Sequence, residues 1–500
     1  MSAEAPARVA LVGAGPGDPG LLTLKAARAI ATCDVLVYDQ LVAAPVVALA
    51  APECELIFVG KKAGAHTLPQ SEINVLLVRL AREGKRVVRL KGGDVFVFGR
   101  GGEEAEALVE AGVPFEVVPG ISSALAVPAY AGIPLTHRAH NTSFTVATGH
   151  EDPTKDASSL DFSKLANPAQ TLVFLMAMGN LAGIVERLRA NGLSGETPVA
   201  IVRDGTTPRQ TTVVATLDSI VAAAERAEIT APAIVVIGEV VRERERLRWF
   251  DEPPLFGKKV LITRPRGSAD AFAAKLWELG AEPLIAPTIE IVPPDDSAPA
   301  DLAVREVRIF HWVLFTSGPG VEAFFVRLEA GGRDARALGD VSIAAIGPRT
   351  AERLLERGIR ADYIPERYIG EELAEGLLER SEPGQRILLF RAQEAGDVLP
   401  ERLRAEGRRV DDVAAYQTRV VRDPAIASAA RAADIWTFTS ASTVRGLVDN
   451  VPGAAEISAS KFVACLGPVT ADAARVLGLT VSTVAREYTV DGLLAALRCV

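Results

Sequence analysis

Short, β-rich apolar runs alternate with longer amphipathic stretches through the first part of the chain. Arg8 to Val12, Val35 to Tyr38, Leu56 to Val59, Arg86 to Leu90 and Phe115 to Val118 are predicted strands. Between them, Leu21 to Ala31, Ser71 to Glu83 and Glu103 to Ala111 carry apolar positions at helical spacing. This alternation predicts an α/β fold with helices on the faces of a parallel sheet. A second set of runs comes next: Ser143 to Thr148, Thr171 to Met176, Val199 to Val202, Gln210 to Thr216 and Ala233 to Ile237. Their close spacing predicts a mixed or partly antiparallel sheet. The stretch from Val241 to Lys259 is dense in charge and then carries Pro253-Pro254, so continuous structure is not expected across it and a domain boundary is placed there. A new strand begins at Lys259.

Beyond that boundary the pattern repeats. Trp312 to Ser317 resembles Trp436 to Ser440, Gly347 to Ala351 resembles Gly467 to Ala471, and Gly370 to Leu378 resembles Asp491 to Leu497. Val260 to Ile289 likewise resembles Ile387 to Tyr416. The order of the blocks predicts two similar α/β lobes, the first interrupted by the second. The expected division is 1–245, with subdomains of about 1–138 and 139–245, a linker at 246–257, and 258–500. In that last part, lobe one takes about 258–290 plus 423–500 and lobe two about 295–418. Two lobes joined by two crossings form a clamp, and the repeated Thr-Ser and Gly-Pro loops fall at strand C-termini, where open α/β sheets bind ligands. The alternative is a duplicated scaffold without a site.

Composition narrows the classes. A hydrophobic content of 49% is ample for several cores, and the longest apolar runs are too short or too broken to span a bilayer. No signal peptide is visible at the N-terminus. The four cysteines are scattered and form no CxxC pair, which argues against structural zinc or a disulfide framework and fits a reducing cytoplasm. No metal site is expected. The net charge of −9 argues against non-specific nucleic-acid binding, while a local basic pocket for an anionic small molecule stays compatible with it.

Two glycine loops carry candidate chemistry. Gly15-Pro16-Gly17-Asp18-Pro19-Gly20 fits the dinucleotide fingerprint G-x-G-x-x-G, with Asp39 near the spacing of a ribose ligand. On pattern alone an NAD-dependent dehydrogenase fits. Pro16 and Pro19, however, each remove a backbone N–H from a loop that works by presenting N–H groups to a pyrophosphate. The second loop, Arg89 to Glu104 (RLKGGDVFVFGRGGEE), is more distinctive. Its glycines allow close approach of a ligand, Asp94 offers an acceptor, and Lys91 and Arg100 offer cations for carboxylates. A tight loop with solvated charges is the bland alternative.

Together with VPGISSA (Val118 to Ala124), AGIPLTHR (Ala131 to Arg138), TLVFLMAM (Thr171 to Met178) and GTTPRQ (Gly205 to Gln210), these motifs resemble the uroporphyrinogen-III C-methyltransferases, a branch of the tetrapyrrole methylases. The match runs from about Arg8 to Asp251 and departs from the family at Val95, where a proline is usual. The resemblance implies S-adenosyl-L-methionine in a cleft between two subdomains and methylation of two ring carbons of uroporphyrinogen III to give precorrin-2, on the way to siroheme or cobalamin. By motif position, the cofactor contacts are Pro16, Gly92, Gly93, Asp94, Val97, Ser122, Ser123, Met176 and Gly205. Asp39 matches the proton acceptor and Lys61 the proton donor; a strand-end acid satisfied by backbone and a solvated lysine are the alternatives. Arg89, Arg100 and Arg138 are candidate partners for substrate carboxylates, because the guanidinium fork binds carboxylate bidentately. A homodimer through this half is the expected assembly. Methylation of RNA is the other branch of the family, and neither charge nor aromatic-basic interleaving favours it.

The remainder, from about Gly257, is similar to uroporphyrinogen-III synthase through VLITRP (Val260 to Pro265), FTSGPGVEAF (Phe315 to Phe324), AIGPRTA (Ala345 to Ala351), FTSASTV (Phe438 to Val444) and CLGPVTA (Cys465 to Ala471). The resemblance implies closure of hydroxymethylbilane with inversion of its last pyrrole ring and without a cofactor. It implies that Tyr416 assists loss of the hydroxyl; a tyrosine packed at the hinge is the alternative. Thr316, Ser317, Thr439, Ser440 and Thr470 suit carboxylate binding, and Arg264 and Arg391, at equivalent points of the repeat, are expected to face the cleft and bind substrate. The partners expected are therefore small tetrapyrroles, with neither nucleic acid nor membrane. The alternative reading is an active methyltransferase carrying a non-catalytic tetrapyrrole-binding module.

Overall fold

A computed structural model describes residues 8–60, 68–149 and 160–498. The chain forms two compact units that divide after Lys258, with Leu276–Glu282 grouped with the first.

The first unit holds two sheets. In one, β1 (Val9–Gly13), β2 (Val35–Tyr38), β3 (Glu55–Phe58), β4 (Val87–Lys91) and β5 (Phe115–Val118) lie in the order β3-β2-β4-β1-β5, all parallel. All five residues of β1 are buried because alternate side chains enter different cores: Val9 and Leu11 on one face, Ala10 and Val12 on the other. That double burial explains why the sequence shows a continuous apolar run rather than alternation. The other sheet takes β6 (Ser143–Thr148), β7 (Gln170–Leu175), β8 (Pro198–Arg203), β9 (Thr211–Thr216) and β10 (Ala233–Ile237) in the order β6-β7-β10-β8-β9. Only β6 and β7 pair in parallel, so this sheet is mixed, as the close spacing predicts.

The charged stretch after Val241 is more ordered than expected. A 3-10 turn, Glu239–Glu243, runs into a short helix, Arg244–Leu247. Two aromatic residues anchor the segment beyond that helix: Trp249 and Phe250 lie 5.1 and 4.6 Å from the ring of Tyr130, and Trp249 Nε1 donates to Ala129 O at 3.1 Å. Charge density masks this strap, because its attachment depends on the aromatic pair and on Arg244, which bonds Ala131 O and Asp251.

The second unit also has two five-stranded sheets. β11 (Lys259–Ile262) and β12 (Glu282–Ile285) open one of them. The chain then builds the other from β13 (Ile289–Val292), β14 (Trp312–Phe315), β15 (Ser342–Ala345), β16 (Arg386–Ala392) and β17 (Arg409–Val420), in the order β13-β17-β16-β14-β15. It returns to complete the first with β18 (Ile435–Phe438), β19 (Phe462–Cys465) and β20 (Thr483–Val484), in the order β12-β11-β18-β19-β20. The first lobe is therefore discontinuous. Equivalent strands β14 and β18 each feed a helix capped by serine: Ser317 Oγ accepts from Gly320 N, and Ser440 Oγ from Thr443 N. Among the described residues, no helix is long and apolar enough to cross a membrane.

Glycines differ sharply in what they tolerate. In the helix Gly101–Glu110, a Cβ on Gly102 would meet nothing within 4 Å, whereas one on Gly101 would lie 2.5 Å from Val95 O. Gly102→Ala is expected to raise methylase-half stability by about 0.5 kcal/mol through helix propensity, and Gly101→Ala to lower it. Scanning calorimetry of the two variants checks the opposite signs.

Candidate active sites

The C-terminal ends of β1, β4 and β5 converge on three glycines. A Cβ built on Gly13 would lie 2.5 Å from Gly120 N and 2.7 Å from Gly93 O. One on Gly120 would lie 2.7 Å from Gly13 Cα and closer still to Gly93 O. Three backbones thus meet without side chains, and Gly93 adopts a left-handed φ of 68°. The same loops hold strained backbone. Apart from Glu228, every non-glycine residue described at positive φ lies on them or on the facing loops of the second subdomain: Phe98, Arg100, Met176, Asp204 and Thr206. Such strain concentrates at ligand sites. Phe96, Val97, Phe98, Ile121 and Met176 are exposed apolar side chains on these loops.

Asp94 organises the loop that carries it. Its Oδ1 accepts from Phe96 N at 2.8 Å and Val97 N at 3.2 Å, and its Oδ2 from Gly120 N at 3.1 Å. Ser122 caps the helix Ser123–Tyr130 through Ala124 N. The Gly13 to Gly20 loop is spent on protein contacts. Gly15 and Gly93 exchange backbone hydrogen bonds of 3.1 and 2.7 Å. Asp18 N donates to Thr206 Oγ1 at 3.2 Å, and Asp18 Oδ2 accepts from Tyr130 OH at 2.7 Å. The next α-helix begins only at Leu24, with Thr23 as its cap. Only a short 3-10 turn, Pro19–Leu21, starts within the loop, and its Gly20 N is taken by Asp18 Oδ1, so no α-helix N-terminus opens from the loop as a pyrophosphate site needs. The loop instead ties the two subdomains together.

In the second unit, Tyr416 OH and Ser317 Oγ lie 2.9 Å apart. Tyr416 is buried at a bulge where β17 pairs with β16, and burial pushes its phenol up, with the Ser317 bond opposing. Arg264, just past β11, is mostly buried, and its Nε has no hydrogen-bond partner in the described residues. Burial lowers its pKa, and the positive charges of Arg349 and Arg353 lower it further. Those two residues sit on the helix Pro348–Glu356 of the other lobe. A desolvated guanidinium among like charges suits an anionic ligand.

Comparison with known proteins matches each half of the chain to a family. The family model described as Tetrapyrrole (Corrin/Porphyrin) Methylases covers residues 8–221, and that of Uroporphyrinogen-III synthase HemD covers residues 270–495. The Porphyrin biosynthesis protein HemD of Ruminiclostridium josui is 39% identical over 97% of this chain and 96% of its own. The chain belongs to both families, joined end to end. The S-adenosyl-L-methionine-dependent uroporphyrinogen III methyltransferase of Methanosarcina barkeri is 54% identical over 47% of this chain and 92% of its own. A crystal structure of Uroporphyrin-III C-methyl transferase from Thermus thermophilus, complexed with S-adenyl homocysteine, is 43% identical, with a TM-score of 0.41, over 47% of this chain and 93% of that one.

Within the methylase half, the structure brings Gly92, Gly93, Asp94, Val97, Ser122 and Ser123 to one set of strand ends. A Cβ on Gly92 would press on Leu41, and one on Gly205 on Val127. Met176 and Pro16 lie on the facing and flanking loops. Arg89 departs from expectation. It is 3% exposed, and its guanidinium is held by Glu104 at 3.1 Å and Asp39 at 3.2 Å, which leaves it no face for a substrate carboxylate. Arg100 is exposed but paired with Glu103 through two bonds of 2.8 and 2.7 Å, and Arg138 is exposed. Lys61 lies outside the described residues.

The synthase half brings a second correction. Arg391 is 5% exposed and bound to Asp412 at 2.8 and 2.5 Å, so it braces β16 against β17 rather than facing a cleft. Thr470 is buried in the first turn of the helix Pro468–Val476. Thr316 and Thr439, each next to a capping serine, are both partly exposed at the strand ends. Sequence reasoning missed Glu104 as the hub of the Arg89 contacts and Arg349 and Arg353 beside Arg264. It also missed Tyr368 and Tyr488, which are exposed and cover Gly347 and Gly467 at equivalent points of the repeat. Their matching position just ahead of the repeated Gly370 and Asp491 helices was the available signal.

No metal ligand set was expected, yet His137, His140 and Glu243 place donor atoms within 4.8 Å of one another. Part of the set is engaged already: His140 Nε2 pairs with Glu243 Oε1 at 2.8 Å, and His137 Nδ1 accepts from Ala139 N at 3.2 Å.

Proposed function

We propose that the synthase half closes hydroxymethylbilane to uroporphyrinogen III with inversion of the last pyrrole ring. The methylase half then transfers two methyl groups to ring carbons of that product, giving precorrin-2. The observation that carries this reading is the union in one chain of a uroporphyrinogen-III synthase family match with a methylase half whose relatives are named as uroporphyrinogen III methyltransferases, one compound being product of the first and substrate of the second. A relative similar over 97% of the chain supports treating the union as one protein. The coarser statement, a bifunctional enzyme of tetrapyrrole biosynthesis, follows from family membership.

The cofactor is S-adenosyl-L-methionine, and the residues present fit it. The glycine stack at Gly13 and Gly120 lets the Gly93-Asp94 loop sit directly on the strand ends, and the left-handed loops around it supply exposed apolar side chains. When bound, the cofactor supplies an electrophilic methyl group. The chain supplies the rest: the loops orient the pyrrole carbon, their apolar side chains exclude water, and Asp39 accepts the proton released as the ring system reorganises. Asp39 is partly exposed at the end of β2, beside the same loops. Lys61 as proton donor rests on the family resemblance, as does a homodimer through this half. A cytoplasmic setting fits the free, buried Cys33, Cys54 and Cys465.

In the synthase half the main task is conformational, because the two ends of a flexible linear tetrapyrrole must meet. Arg264, Arg349 and Arg353 hold carboxylates from two lobes. Tyr416, kept protonated by burial, gives its proton to the departing hydroxyl, and Ser317 fixes the phenol's direction. Tyr416→Phe is expected to slow conversion of hydroxymethylbilane by about 10–100-fold with little change in KM. Initial rates of tetrapyrrole closure check it, and an unchanged rate leaves Tyr416 as a packing residue.

The whole reading is tested by giving the intact chain hydroxymethylbilane and labelled S-adenosyl-L-methionine. A doubly labelled tetrapyrrole is expected by mass spectrometry. No label in any tetrapyrrole sinks the reading. Label only when uroporphyrinogen III is supplied ready-made favours the alternative, a methyltransferase with a non-catalytic tetrapyrrole-binding module.

A further inference from the structure

Asp39 is one member of a four-residue charge network, and the proposed methyl transfer uses only Asp39. Arg89 and Lys91 are two apart on β4, so they share a face, and both are buried. Glu104, in the first turn of the helix Gly101–Glu110, is 0% exposed. Its Oε1 accepts from Arg89 Nε at 3.1 Å, Lys91 Nζ at 2.9 Å and Gln70 Nε2 at 3.1 Å. Arg89 divides its remaining donors between Leu90 O at 3.0 Å and Asp39 Oδ2 at 3.2 Å. The other oxygen of Asp39 accepts Leu41 N at 3.2 Å. Burial, then the neighbouring Arg89, pushes the Lys91 amine below its ordinary value, and Glu104 Oε2 has no hydrogen-bond partner among the described residues.

Buried ion clusters are a poor source of stability compared with apolar packing of the same volume, so their use here points to what they aim. Arg89 is clamped through Nε by a carboxylate that solvent does not reach. That clamp leaves one N–H for Asp39 instead of a bidentate fork, so the carboxylate is held in direction yet keeps lone pairs free. Without Glu104, two buried cations would face Asp39 alone, and the guanidinium would be drawn fully onto it.

We infer that Glu104 is a positioning residue for methyl transfer. Acting through Arg89, it fixes the orientation of Asp39 and stops the guanidinium from closing over the oxygen that takes the proton. This rests on the reading of Asp39 as proton acceptor.

The test uses the full chain carrying Glu104→Gln, Arg89→Lys or Asp39→Asn, and each of the first two combined with Asp39→Asn. Single-turnover methyl transfer to uroporphyrinogen III and affinity for S-adenosylhomocysteine are measured. Lysine keeps the charge of Arg89 but lacks the fork that reaches Glu104 and Asp39 together. Glu104→Gln and Arg89→Lys are each expected to lower kcat at least about tenfold, with KM and S-adenosylhomocysteine affinity changed by less than about twofold. In the Asp39→Asn background neither should cost more than about twofold, because the group they aim is already disabled. Equal losses in both backgrounds, or full turnover by Arg89→Lys, overturn the inference. If Glu104→Gln no longer binds S-adenosylhomocysteine, its unit has lost its fold and the Arg89→Lys comparison alone decides. Full turnover by Asp39→Asn overturns the reading of Asp39 and this inference together, whereas slow Asp39→Asn with additive losses overturns only the role of Glu104.

Discussion

Asparagine at position 39 is expected to slow methyl transfer by about 10²–10⁴-fold, the usual range for loss of a positioned general base. The substitution is nearly isosteric. The side-chain oxygen that accepts Leu41 N can persist, and Arg89 can keep one acceptor. What is lost is the capacity to take a proton. Cofactor affinity should therefore hold while kcat falls, the signature of an interaction used only in the transition state. The chain carries its own control, since conversion of hydroxymethylbilane depends on residues of the other unit and should be unchanged. Parallel loss of both activities would point to misfolding, and retention of full methyl transfer would remove Asp39 from the mechanism.

How legible this protein is depends on the range of the interaction. The strands β2, β5, β6 and β10 lie at the positions their apolar runs mark, because a strand with a buried face needs only its own composition to be seen. The discontinuous lobe is readable from repeated blocks, which need no contacts to detect. The charged stretch near 245 misleads because charge density says nothing about where Trp249 and Phe250 attach. Arg89 and Arg391 mislead for a related reason. In the sequence an arginine near a motif looks like a free cation, yet Arg89 meets Glu104 from 15 residues away and Asp39 from 50, and Arg391 meets Asp412 from 21. Pairing of that kind is decided by the fold, and only burial with its partners distinguishes a bracing arginine from a binding one. Arg264 passes the same filter in the opposite direction, being partly buried with like-charged neighbours.

The second large effect is expected at Gly120, a position with no functional atom beyond its backbone. Alanine there would drive a Cβ to 2.7 Å from Gly13 Cα and nearer still to Gly93 O, with backbone on both sides. No flexible side chain can yield, so β1, β4 and β5 must separate at their C-terminal ends. The strain falls where Gly120 N is held by Asp94, and Asp94 in turn holds Phe96 N and Val97 N. One methyl group should therefore uncouple the Asp94 loop from the strand ends. Overpacking of this kind costs about 1–3 kcal/mol, and much of that cost should be relieved by moving the loop rather than by unfolding the unit. The expected result is at least about a hundredfold weaker binding of S-adenosylhomocysteine by calorimetry, equivalent to about 2.7 kcal/mol, with the synthase reaction intact. Gly102→Ala, on the helix that closes the Asp94 loop and facing open space, should bind as the wild type does. If Gly120→Ala binds equally well, the glycine stack is a packing device for the sheet, and the cofactor site must be sought elsewhere on the methylase half.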